Sequence, residues 1–355
     1  MSGATSGVRP PLLAQPSPRS DVAAARRKRR RHLLRFLAVR IAQAVPTLLL
    51  VVVVNFTLLN LAPGDLAQVL AGEAGGASPE YVAQLRESFG LNEPAWLRLL
   101  HYVQKVATLD LGYSFRNSMP VSQLIVERIP ATLLLTGSAL LLAIGVGLAG
   151  GFLAALRPGS WVDRTISSIA LLVYATPGFL LGLALIIVFG VKLQWLPVGG
   201  MSSGSDAGGD WSAFGSLLSH LVLPVLTLGL FFASIYVRIT RAAMLEVRGH
   251  DYVRTARAKG VAPLRIARRH VLRNALLPVV TVIGLQAGAL LGGAVLVEVV
   301  FAWPGLGRLA FEAVFQRDFN LLSGVVLCGA VAVLIVNIAV DLFYSVLDPR
   351  IGVRQ

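Results

Sequence analysis

Six stretches of this chain are apolar for the roughly 20 residues that a bilayer requires, and nothing else about it restricts the fold so strongly. They run from about Phe36 to Leu61, Ala131 to Leu156, Ile166 to Val191, Leu218 to Ile239, Ala275 to Phe301 and Leu321 to Leu347. With no water in the hydrocarbon, a backbone must satisfy its own N–H and C=O groups, so continuous runs of this length read as transmembrane helices. Only 14% of residues are charged, against about 25% in a soluble domain. The net charge of +14 does not point to nucleic acid, because the basic residues cluster between apolar runs and lack the interleaved aromatics of a strand-binding surface.

Residues 1–35 are rich in Pro, Ser and Ala and end in "ARRKRRRHLLR". The apolar run that follows is too long for a signal peptide and has no small-residue cleavage site. A disordered basic tail leading into an uncleaved first span is expected. Dense Lys/Arg before the first span and between Arg238 and Arg273 puts both segments, and with six spans both termini, on the cytoplasmic side. Between the first two spans, "SPEYVAQLRESFGLNEP" supplies a helix start, with Ser78 as cap, Pro79 at the first position, Glu80 in the first turn and Gly90 as stop. Glycines four apart suit close helix packing: Gly147 and Gly151, Gly178 and Gly182, and Gly284, Gly288 and Gly292.

Candidate chemistry is sparse. His32, His101, His220, His250 and His270 show no metal-ligand spacing, and neither a G-x-S-x-G elbow nor a G-x-x-x-x-G-K-[ST] loop occurs. Cys328, the single thiol, reads as a packing residue. Polar groups within spans are costly and therefore candidates for function. Gln286 and Glu298 lie on the fifth, and Asp341 near the inner end of the sixth is expected to pair with a nearby Arg. Glu298, just before "VVFAWPGLGRL", either supports the turn at Trp303, Pro304 and Gly305 or lines an outer mouth.

The segment "DYVRTARAKG" interrupts this apolar chain with a short polar helix. Asp251 is a suitable N-cap, Tyr252 to Lys259 are good helix formers, and Gly260 is a C-terminal stop. Pro263 opens a second, amphipathic helix that leads into the fifth span. A short helix gripped between two spans is a knob that can enter a cleft on a soluble partner, with small residues at Thr255, Ala256 and Ala258 permitting close approach. An ordinary basic loop is the other reading.

The segment resembles the coupling motif of permease subunits of ABC importers, specifically the dipeptide/oligopeptide/nickel branch (DppB/OppB type). "RIAQAVPTLLLVVVVNFTLLNLAPGD", "LDLGYSF", "ATPGFLLGLALIIVFGVKLQWLPVGG", "RITRAAMLEV", "RHVLRNALLPVVT", "EVVFAWPGLGRL" and "DLFYSVLDPR" are similar to that family in the same order. Arg254-Thr255-Ala256 stands where the general family motif has Glu-Ala-Ala, and "PGDL" where many relatives have PGDP. The resemblance implies an all-α polytopic membrane protein of six transmembrane helices, the type I ABC importer permease fold, with a small extracytoplasmic helical segment between spans one and two. It divides the chain into a tail (1–35), the first span with its external segment (36–131), a permease domain (132–347, coupling loop about 243–274) and a C-terminal end (348–355). It further implies ATPase coupling through Asp251, Tyr252, Arg254, Thr255, Ala256, Arg257, Ala258 and Gly260. Its implied partners are a second homologous permease (DppC/OppC-like), two ABC ATPases (DppD/DppF-like) that carry the ATP and Mg²⁺, an extracytoplasmic substrate-binding protein and membrane lipid. No cofactor or metal is expected on this chain, and no catalysis. A self-contained carrier or channel with a lipid-binding loop is the alternative.

Overall fold

The computed structural model describes residues 18–61, 78–88, 92–202 and 210–347. Helix α1 (Pro18–Leu61) contains the first span, Ala38–Leu58. Where an irregular tail was expected up to residue 35, helix already begins at Pro18. The run from Asp21 to Leu34 explains this: Ala and Arg are strong helix formers, and an acid at the start suits the helix dipole. Residues 1–17 of the expected tail lie outside the described residues, as do 62–77 with the "PGDL" motif, Gly90 and 348–355.

The external segment folds as α2 (Pro79–Ser88) and α3 (Ala95–Ala107). The Ser78 hydroxyl accepts the Tyr81 N–H at 3.4 Å, in keeping with its capping role. A two-residue antiparallel hairpin, β1 (Tyr113–Ser114) and β2 (Met119–Pro120), pairs Tyr113 with Pro120 and leads into α4 (Val121–Leu156). This hairpin was not foreseen, and α4 starts ten residues before the expected span, continuing through Pro130.

The third expected span is not one helix. It divides into α5 (Trp161–Ala175) and α6 (Gly178–Lys192), bent by 107°. Pro177 causes the break. It has no N–H to donate, and it forces the preceding Thr176 out of the helical region to ψ 126°. Helix α7 (Asp210–Val247) is followed by α8 (Asp251–Ala258) and α9 (Pro263–Val300), then α10 (Leu306–Gln316) and α11 (Phe319–Leu347). The amphipathic helix expected after Pro263 runs into the fifth span without interruption, through a π-helical turn at Ile266–Leu272. Among the described residues, five helices are long and apolar enough to cross a bilayer, six if the bent pair is counted as one span.

Helices α4, α7 and α9 form the centre, where Leu135, Leu223, Tyr236 and Leu290 are buried together. Glycine decides how closely α4 meets α7. A Cβ on Gly147 would lie 2.4 Å from the Tyr236 Cβ, and one on Gly151 2.5 Å from that of Thr240. Other expected small-residue contacts divide: Gly182 and Gly288 face neighbouring side chains, whereas Gly178 and Gly292 face open space. Arg40 of α1 pairs with Asp341 of α11 at 3.0 Å, the ion pair expected for that aspartate. Near the other end of the first span, the Asn55 amide donates to the Tyr102 and Ser323 hydroxyls, joining α1 to α3 and α11.

Candidate functional site

Helix α8 sits at the end of the bundle where α4 and α7 finish and α9 begins. Two of its side chains face inward: Val253 is fully buried and Ala256 is 8% exposed. They are three positions apart, hence on one face, and they pack with Met244, Val247, Ile266 and Val271. Burial of a valine of this kind stabilises by about 1.5–3 kcal/mol. The opposite face, with Asp251, Tyr252, Arg254, Thr255, Arg257 and Ala258, is exposed.

The ends of α8 are set by backbone geometry. His250 (φ −70°, ψ 148°) occupies the capping position, so Asp251 is the first helical residue rather than the N-cap. Its carboxylate still favours the positive end of the helix dipole. At the other end Gly260 has φ +74°. Its N–H donates to the Arg257 carbonyl at 2.9 Å, and the Val261 N–H donates to the Ala256 carbonyl at 3.2 Å. These two bonds make a Schellman stop, which needs a left-handed residue that glycine supplies without strain. The expected small-residue approach surface is corrected at Ala256, which serves the seat; Thr255 and Ala258 remain on the outer face. Sequence reasoning missed Val253, although an apolar i, i+3 pair in a polar segment was the available signal.

Beside α8 lies a cleft of about 490 Å³, lined by Arg157, Arg248, Arg257, Leu264 and Ile266 among others. Arg248 donates to the Ala155 carbonyl at 2.6 Å, closing the last turn of α4. A rigid helix with a polar outer face and a basic cleft at its side is suited to seating against a soluble protein.

At the opposite end, Glu298 is fully buried. Its Oε1 accepts from the Thr132 hydroxyl at 2.7 Å, and its Oε2 from the Gly307 and Arg308 N–H groups at 2.7 and 3.1 Å. Thr132 also accepts the Leu306 N–H at 2.8 Å. Glu298 thus caps α10 from a neighbouring helix, and of its two expected roles the geometry supplies support of the turn. Trp303, fully buried, donates its indole N–H to the Ala131 carbonyl at 2.9 Å. Gly305 is required by proximity: a Cβ there would lie 2.2 Å from the Glu298 Oε1. Pro304 is half-buried in the same turn. Gln286, half-buried on α9, is not part of this cluster; at 1.5 Å per residue it lies about 18 Å along the helix from Glu298.

Residues 147–353 match the family model for the binding-protein-dependent transport system inner membrane component, and residues 33–136 match its N-terminal companion. The chain belongs to this family of transport permeases. The dipeptide transport system permease protein DppB of Escherichia coli (strain K12) is 41% identical over 336 residues, covering 90% of this chain and 99% of that protein. DppB of Alkalihalophilus pseudofirmus is 39% identical over 326 residues, covering 88% and 97%. In fold, the permease resembles a chain of the inward-facing MetNI methionine ABC transporter, with a TM-score of 0.52 at 21% identity, over 64% of this chain and 97% of that one.

The permease also carries a partly buried ion pair that sequence reasoning passed over. Arg241 of α7 donates from Nε and a terminal nitrogen to the two oxygens of Asp163, at 2.6 and 2.8 Å. The Gly159 N–H donates to the same carboxylate at 2.8 Å. Ser160 caps α5 by accepting the Asp163 N–H at 3.3 Å. The spacing of Ser160 and Asp163 is that of a capping box, and was the signal in the sequence. Among the described residues, no cluster of three or more potential metal ligands occurs.

Proposed function

We propose that this permease forms half of a transmembrane pathway for dipeptides and short oligopeptides, driven by ATPase subunits that dock on α8 from the cytoplasm. A second homologous permease completes the pathway, two ATPases hold the ATP and Mg²⁺, and an external binding protein delivers the peptide. This chain has no catalytic step of its own. The observation that carries the proposal is the construction of α8: an inward face anchored by Val253 and Ala256, a glycine stop, and an outer face left free at the end of the spans. The Lys/Arg clustering at that end supports a cytoplasmic position. The DppB relatives support the peptide class.

The test is peptide uptake by the assembled transporter in proteoliposomes with its binding protein present. Ala258→Glu adds bulk and charge to the outer face without touching the seat. Uptake is expected to fall about tenfold or more, the effect of losing ~1.4 kcal/mol of docking energy, while insertion and thermal stability of the permease stay unchanged. Undiminished uptake would remove α8 from the mechanism. Full transport by the purified permease alone would establish the self-contained carrier instead.

A further inference from the structure

Arg238 lies on α7, nine residues before Val247, which places its Cα about 14 Å from the end of the bundle that carries α8. Its side chain does not extend toward that end. Its guanidinium carbon lies 4.2 Å from the centroid of the Tyr174 ring. That ring stacks on Phe231, with centroids 6.1 Å apart and planes inclined by 17°. Phe231 precedes Arg238 by about two turns, so the guanidinium is drawn back along α7, away from the end that carries α8. Both Tyr174 and Arg238 are exposed on the surface of the chain. Among the described residues the guanidinium makes no hydrogen bond or ion pair, whereas Arg241, one turn on, is fully engaged with Asp163.

A second observation concerns the same place. Tyr174 is the penultimate residue of α5, directly before the 107° break. In secondary transporters substrates bind at discontinuous spans, because an interrupted helix leaves room beside the pathway, and the same geometry is present here. Space is indeed open here, since a Cβ on Gly178 would meet nothing within 4 Å.

We infer that Arg238, held over Tyr174 at the break between α5 and α6, lines the pathway and receives the C-terminal carboxylate of the passing peptide. The inference rests on the peptide reading above. A planar guanidinium offers paired N–H donors that match a carboxylate. A ring occupying its face steadies the cation without consuming those edge donors. A ring contact is also weaker than an ion pair, which leaves the site free to capture and release.

The experiment compares a dipeptide with the same dipeptide carrying a C-terminal amide, in proteoliposomes of the full transporter with saturating binding protein. Variants are Arg238→Gln and Arg238→Lys, with co-purification of the second permease and the ATPases as the assembly readout. Because the binding protein is common to all samples, its own preference cancels. Arg238→Gln is expected to lower free-acid uptake about tenfold, as for a lost hydrogen bond to a charged group, with amide uptake little changed and assembly intact. Arg238→Lys is expected to restore part of the free-acid rate. Equal loss with both peptides, unchanged uptake of both, or loss of assembly would overturn the inference; the last would mean that Arg238 pairs with a carboxylate of the second permease. If the wild type transports neither peptide, the peptide reading itself fails.

Discussion

Glu298 shows how one side chain sets a local structure that no helix propensity would produce. Its carboxylate accepts three hydrogen bonds in a fully buried position, and Gly305 exists where it does because a methyl group would overlap that carboxylate. Gly305 itself is extended (φ −104°, ψ −177°), so the constraint is contact rather than backbone strain. Glu298→Ala removes the acceptor of the Gly307 and Arg308 N–H groups and of the Thr132 hydroxyl proton. A destabilisation of about 2–4 kcal/mol is expected, read as a lower melting temperature of the purified complex. Gly305→Ala is expected to cost about 1–3 kcal/mol by overpacking. The double variant should cost less than the sum, because removing the carboxylate removes the obstacle. Strict additivity would mean that the two residues do not share this contact.

At the level of elements, the legible and illegible parts of the sequence separate by cause. Apolar length announced the spans, and α8 was readable from a polar segment with a glycine stop. The ion pair of Asp341 was anticipated because an acid at a span end needs a cation, and Arg40 supplies it. The break at Pro177 was carried by one residue inside a run whose hydropathy does not change, so an apolar window passed over it. The hairpin at 113–120 is tied from outside its own segment, with Asn320 donating to the Tyr113 carbonyl at 3.0 Å and Ser114 to Asp318. Thr132 gave no local sign of its role, since its partners stand 166 and 174 positions away. For α8, the inward pair dictates what a substitution reports. Val253→Asp is expected to loosen the whole helix, making the 243–275 region protease-sensitive and lowering stability by about 2–4 kcal/mol. Ala258→Glu should do neither. If Val253→Asp leaves proteolysis unchanged, the buried seat is not what holds α8.

For the whole molecule, α4 and α9 both reach from one end to the other, α9 with Glu298 at one and Ile266 and Val271 at the other. Toward one end of α4, ten residues from its start, its Ala131 carbonyl and Thr132 hydroxyl bind Trp303, Leu306 and Glu298. At the other its Ala155 carbonyl binds Arg248, beside the seat of α8. Between them Gly147 and Gly151 lock it against α7. Ala131 and Ala155 lie on one continuous helix, about 36 Å apart, so it links the two clusters directly. Spin labels at exposed Glu127 and Leu153, on a background in which Cys328 is replaced by Ser, test this in the assembled transporter. Their separation is expected to stay within about 2 Å through the nucleotide cycle, since helix geometry allows little axial change. A larger change would show that α4 bends or unwinds near Pro130 during transport.

A stiff shaft fastened at two distant points has no slack to take up. Force applied at one mouth would reach the other as a tilt of that shaft, and opening at one would accompany closing at the other.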